Sequence, residues 1–167
     1  MSKISSQALS NLRAMTCAAL IASALVADAV SQAPPSPSPA RRAIDERKAI
    51  FTLIGANFRP VGEVLQGRAS LDASELQKRA SRVAFLATLA GDAFADVSNV
   101  GDPGTRAKPE IWARRAEFDK ALSDFASHAQ ALSQLAAKHG AASDEIKSAA
   151  GALAQDCKSC HDTFRAK

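Results

Sequence analysis

An all-α fold, an antiparallel four-helix bundle, is the class this chain predicts, and three observations predict it. Beyond residue 41 the sequence is rich in Ala, Leu, Glu, Lys and Arg, with few β-branched residues and no tyrosine, so helix is the default conformation. Apolar residues recur there in four successive stretches at the spacings of one buried helix face. Mainly short connections join the stretches, which makes sequence neighbours antiparallel. At 167 residues the chain has room for one domain.

Residues 1–29 read as a secretory signal peptide. Lys3 and Arg13 supply the positive start, residues 14–26 an apolar run, and Ala27-Asp28-Ala29 a small-residue cleavage site. A membrane anchor is the competing reading, but an apolar run of about 13 residues falls short of the roughly 20 that span a bilayer. Cys17 leaves with this segment, and so do Met1 and Met15, the only methionines. Residues 30–40 follow as a Pro/Ser-rich linker, with four prolines between positions 31 and 40. Losing two basic residues and one acidic residue lowers the formal charge from +4 to +3. Lys and Arg are dispersed and lack interleaved aromatics, so nucleic acid is not an expected partner. No later stretch suits stable membrane insertion.

The first helix is expected over residues 42–66, with Ile44, Phe51, Phe58 and Leu65 along its seam, Ile54 and Val61 between them, and a bend at Pro60. The second opens on Asp72 as N-cap with Glu75 three residues on, and its seam runs through Leu76, Val83, Leu86, Ala90, Phe94 and Val97. Gly101-Asp102-Pro103-Gly104 forces a turn. The third helix has Pro109 at its first position and Glu110 beside it, a seam through Ile111, Phe118, Leu122, Phe125, Ala129 and Leu132, and Gly140 as its stop. The fourth starts from a Ser143 cap and repeats Ile146, Ala150, Leu153, Cys157, Cys160 and Phe164.

That last seam carries Cys157-Lys158-Ser159-Cys160-His161, the attachment signature of c-type haem. Cysteines three apart share one helix face, where each can form a thioether to a haem vinyl group while His161 reaches the iron as axial ligand. The expected cofactor is one covalent haem c inside the bundle, at the end where the fourth helix finishes. A redox dithiol is the alternative, yet such a pair belongs at a helix N-terminus after a strand. Zinc would require further ligands, and His128 and His139 offer no recognisable spacing. With both methionines removed, a His/Met electron-transfer iron is excluded.

Arg47 occupies a seam position one turn before Phe51, where a charge requires an anionic partner or an exposed bundle end; a haem propionate is the natural partner. Phe51 reads as core, or as a ring over the haem face opposite His161 that leaves the iron five-coordinate. Arg165, four residues after His161, either covers the proximal side of the imidazole or serves the helix C-terminus. His128 and His139 read as surface or dipole-compensating residues, and Trp112 as packing near the haem edge.

The chain resembles the cytochromes c prime over nearly all of residues 41–167. The resemblance rests on Glu46-Arg47-Lys48-Ala49-Ile50-Phe51 with Gly55 and Phe58, on Lys108-Pro109-Glu110-Ile111-Trp112, and on the run from Cys157 to Arg165. It implies a periplasmic haem protein, often a homodimer built on the first two helices, with high-spin five-coordinate iron on His161. It also implies that Arg47 contacts a propionate and that Lys48, Thr105 and Arg106 border the haem. Low-spin relatives similar to cytochrome c-556 carry Met where Phe51 stands. The expected function is therefore capture of diatomic gases such as nitric oxide, with electron exchange with periplasmic redox proteins as the alternative. No general acid or base is evident for an enzyme reaction.

Overall fold

The computed structural model describes residues 36–101, 104–139 and 143–167. The expected signal peptide, most of the linker, Asp102-Pro103 and the Gly140 stop lie outside the described residues. Helix α1 spans Pro39–Leu65. It starts before the expected position because Ser38 accepts the Arg41 amide at 3.1 Å and Pro39 takes the first turn. The Ser-Pro pair that reads as linker by composition is the helix N-terminus. The helix continues through Pro60 to Leu65. Proline has no amide to give the Ala56 carbonyl, and that carbonyl instead accepts Arg79 Nη1 at 3.2 Å. Arg79 is held in turn by Glu75 at 2.7 Å, one helix away from the proline.

Helix α2, Ala73–Leu89, is capped by Asp72, which accepts the Glu75 amide at 2.7 Å as its spacing predicts. The expected continuation through Phe94 and Val97 is corrected. Past Ala90 and Gly91 the chain makes two 3-10 turns, Asp92–Phe94 and Asp96–Ser98, separated by an extended Ala95. Phe94 is buried by this route while Val97 is 51% exposed, so only the first of these two seam positions is core. Gly91, Asp92 and Asp96 are poor helix formers, and their cost is not offset by a seam that has already met its partners. Gly101 turns the chain with φ +63°.

The third expected helix is divided. A single turn, α3 (Glu110–Ala113), is followed by Arg114 at φ −120°, ψ 47°, and then by α4, Arg115–His139. Pro109 stands at the cap rather than at the first helical position. The segment leading into α3 is tied to the far end of the chain: Ala107 and Arg165 form an antiparallel bridge, the Lys108 amide reaches the Phe164 carbonyl at 3.0 Å, and the Ala166 amide reaches the Arg106 carbonyl at 2.8 Å. The break at Arg114 separates this pinned turn from the long α4. Helix α5, Asp144–Phe164, is capped by Ser143 as expected, with Asp144 and Glu145 in its first turn.

The four long helices form the antiparallel bundle. Helix α1 packs on α2, α2 on α4 and α4 on α5, and α1 meets α5 more lightly. The main core joins Ile54, Val61, Leu76, Val83, Phe125, Leu132, Ile146 and Leu153. A second cluster of Phe94, Ile111, Phe118 and Phe164 closes one end. Its rings meet edge to face, with centroids 4.7 Å apart for Phe94–Phe118 and 5.2 Å for Phe118–Phe164. Among the described residues no helix is long and apolar enough to cross a membrane.

Candidate haem site

Where α1 and α5 separate beside the second cluster, a cavity of about 650 Å³ opens between them. It brings together Arg47, Lys48 and Phe51 from α1, Thr105 and Arg106 from the segment before α3, and Cys157, Cys160, His161 and Arg165 at the end of α5. The residues singled out for haem attachment, ligation and the haem border thus line one cavity. Its inner walls are apolar, built by Phe51, Ile54 and Phe58 from α1 and by Phe118, Leu122 and Phe125 from α4. This is the setting for a large, flat, mostly apolar group with a few polar contacts at its edge.

The two thiols are free and half-buried, one helical turn apart on the cavity face of α5. Burial, aided by the Asp156 carboxylate, pushes Cys157 up to about 11, and burial also raises Cys160. A redox dithiol has the opposite property, a thiol pKa lowered at a helix N-terminus. Among the described residues no group of three or more His, Cys, Asp or Glu side chains is gathered to hold a metal ion, as a zinc site would need. Two neutral thiols beside an apolar cavity suit thioether attachment.

His161 stands at the cavity mouth. Partial burial lowers its pKa first, followed by the cations Arg165 and Arg106. The neutral ring that results is the form able to ligate iron. Arg165 Nη1 lies 3.5 Å from His161 Nδ1, and Arg165 is also the C-cap, its amide bonded to the His161 carbonyl at 3.2 Å.

Arg47 is only 3% exposed. Its Nη1 donates to Ser98 Oγ at 2.9 Å and its Nη2 to Thr105 Oγ1 at 2.7 Å. The guanidinium also lies over the rings of Phe94 at 5.4 Å and Trp112 at 5.9 Å. Thr105 Oγ1 accepts the Ala107 amide as well, at 3.1 Å, so the arginine fastens the segment that ends in the Ala107–Arg165 bridge. Arg106 donates from Nε to the Ala166 carbonyl at 3.0 Å, and Lys48 stays exposed on the rim.

Two residues of the site carry no signal in the sequence. Ser98 falls just past the expected second helix, and nothing local marks it as a buried acceptor for Arg47. Asp156 lines the cavity beside Cys157 and pairs with His128 Nδ1 at 2.7 Å. A spacing of 28 residues on two different helices leaves no local trace of that pair. His139 ends α4 in its last turn, as expected of a dipole-compensating residue.

The family model described as Cytochrome C' matches residues 42–165. Cytochrome c' of Rubrivivax gelatinosus is 37% identical over 125 residues, 75% of this chain and 95% of that protein. The structure of cytochrome c prime from Shewanella frigidimarina superposes with a TM-score of 0.70 at 34% identity, covering 79% of this chain and 100% of that one. A ferrous variant of cytochrome c prime from Alcaligenes xylosoxidans, solved with bound NO, gives a TM-score of 0.69 at 26% identity, over 79% of this chain and 99% of that one. A helical bundle, a cavity at its end and two thiols with an imidazole along one wall are thus joined to kinship over nearly the whole folded region, and the chain belongs to the cytochrome c' family, with haem c attached through Cys157 and Cys160.

Proposed function

We propose that the protein is exported to the periplasm and captures nitric oxide and carbon monoxide at a five-coordinate haem iron whose one protein ligand is His161. The observation that carries this reading is the apolar wall of α1 and α4. Phe51, Phe58, Leu122 and Phe125 line the cavity there, and the Phe51 ring is 6.0 Å from Phe94. Such a wall offers no ligand to iron and no donor to a bound molecule, so it disfavours water, anions and a durable O2 adduct while admitting small neutral gases. The NO bound to the Alcaligenes xylosoxidans relative supports the same chemistry.

In this reading Phe51 covers the face away from His161, and Arg165 flanks the imidazole. Arg47, with Lys48, Thr105 and Arg106, borders the propionate edge. The haem supplies the iron and its gas affinity; the chain supplies the anchor, the ligand and the dry wall. Exposed Leu53, Phe85 and Leu89 on α1 and α2 support a homodimer through those helices. Exposed cations beside His161, Lys158 and Arg165 among them, support one-electron exchange at the same edge with an anionic redox protein. No substrate turnover is assigned.

The test is the optical spectrum of the purified holoprotein, oxidised and then reduced by dithionite, before and after adding NO or CO. High-spin bands that change on adding either gas are expected. Sharp six-coordinate bands in the untreated ferrous protein would overturn the gas-binding assignment in favour of an electron carrier.

A further inference from the structure

Helix α1 contains Gly55 well inside its span and Gly62 in its last turn, and α5 contains Gly151. Glycine in a helix interior is unfavourable relative to alanine, because it loses more backbone freedom on folding. A packed neighbour would explain each one, but none is present among the described residues: a Cβ built on Gly55, Gly62 or Gly151 meets none of their atoms within 4 Å. The backbone conformation does not require glycine at these positions either, since the positive φ values among the described glycines belong to Gly67 and Gly101. One distinction remains. Gly55 lines the large cavity, and Gly62 and Gly151 do not.

We infer that Gly55 is a clearance residue for the haem, letting an edge of the macrocycle approach the α1 backbone more closely than a side chain would permit. The inference rests on the haem reading above. Its geometry is simple. Gly55 lies one turn after Phe51 and three residues after Thr52, on the stretch of α1 that faces the cavity. The group that fills the cavity is held from the opposite wall, covalently at Cys157 and Cys160 and through His161. A flexible side chain could swing away from a new methyl group, but a rigid macrocycle fixed at three points on α5 cannot. The methyl group at Gly55 would then push α1 away from α5, along the side of the bundle where those helices already pack most lightly.

The experiment compares Gly55→Ala, Gly62→Ala and Gly151→Ala in the covalently loaded holoprotein. Each is followed by thermal melting and by the Soret and high-spin Raman bands. Gly62→Ala and Gly151→Ala should raise the melting temperature by about 2–4 °C and leave the haem bands unmoved. Gly55→Ala should lower it by a similar amount and displace those bands. Should Gly55→Ala accumulate poorly, the Gly55→Ala/Gly62→Ala double variant supplies reserve stability, and displaced bands in that protein support the inference equally. A Gly55→Ala protein that gains stability like Gly62→Ala, with unmoved bands, overturns the inference. Wild-type protein without covalent haem would instead overturn the haem reading itself, so the two failures are distinguishable.

Discussion

Burying the Arg47 guanidinium against Phe94 and Trp112 puts a permanent cation at the closed end of the bundle, and its two hydroxyl acceptors come from separate parts of the chain. Hydrogen bonds to a charged group are each worth about 1.5–3 kcal/mol, so Arg47→Ala should destabilise the holoprotein by about 3 kcal/mol or more. Losing a cation near the iron should also lower the reduction potential, because less positive charge remains to favour the reduced state. Arg47→Lys keeps the charge but cannot reach both hydroxyls while stacking on the rings, so it should recover the potential better than the stability. Denaturant unfolding together with spectroelectrochemical titration of the two variants checks this. Equal stability in Arg47→Ala and wild type would mean that the buried contacts contribute nothing. The seam position of Arg47 is legible in the sequence, whereas its acceptors are not. Ser98 and Thr105 lie 51 and 58 residues away, and only packing decides which hydroxyls meet the fork.

Within the elements, local rules read well at the starts of α2 and α5 and less well at helix ends. Asp72 and Ser143 cap α2 and α5 as their side chains dictate, since an N-cap bond closes within three residues. The end of α2 and the break at Arg114 depend on contacts beyond the helix itself, and periodicity carries both segments too far. Pro60 shows the coupling between two helices, because the carbonyl it leaves unmet on α1 is taken by Arg79 of α2. Arg79→Ala should therefore cost about 1 kcal/mol in the wild-type background. Beside Pro60→Ala it should cost clearly less, because an amide at position 60 again reaches the Ala56 carbonyl. A double-mutant cycle by thermal or urea unfolding measures the coupling, and full additivity would mean that the two residues act independently.

Over the whole molecule, α1 and α2 present Leu53, Phe85 and Leu89 to solvent, with Phe85 65% exposed. In a two-fold dimer each such residue is buried twice, and fully burying one large apolar side chain is worth about 1.5–3 kcal/mol. Phe85→Glu should therefore weaken dimerisation by about 100-fold or more, giving a monomer by sedimentation equilibrium with its haem spectrum intact. A wild-type protein that is already monomeric would remove the basis for this assignment.

By itself, the sequence determined the helical class, the caps of α2 and α5, the face each helix buries and the haem-anchoring run at Cys157, Cys160 and His161. All of these follow from side chains within one or two turns of each other, where backbone geometry leaves little choice. Only the tertiary structure decided that Arg47 meets Ser98 and Thr105, that Asp156 pairs with His128, and that the chain before α3 bridges to Arg165. Those contacts join residues far apart in the chain. Their formation depends on how four amphipathic helices settle against one another, and periodicity specifies the buried face of each helix without specifying which partner it meets.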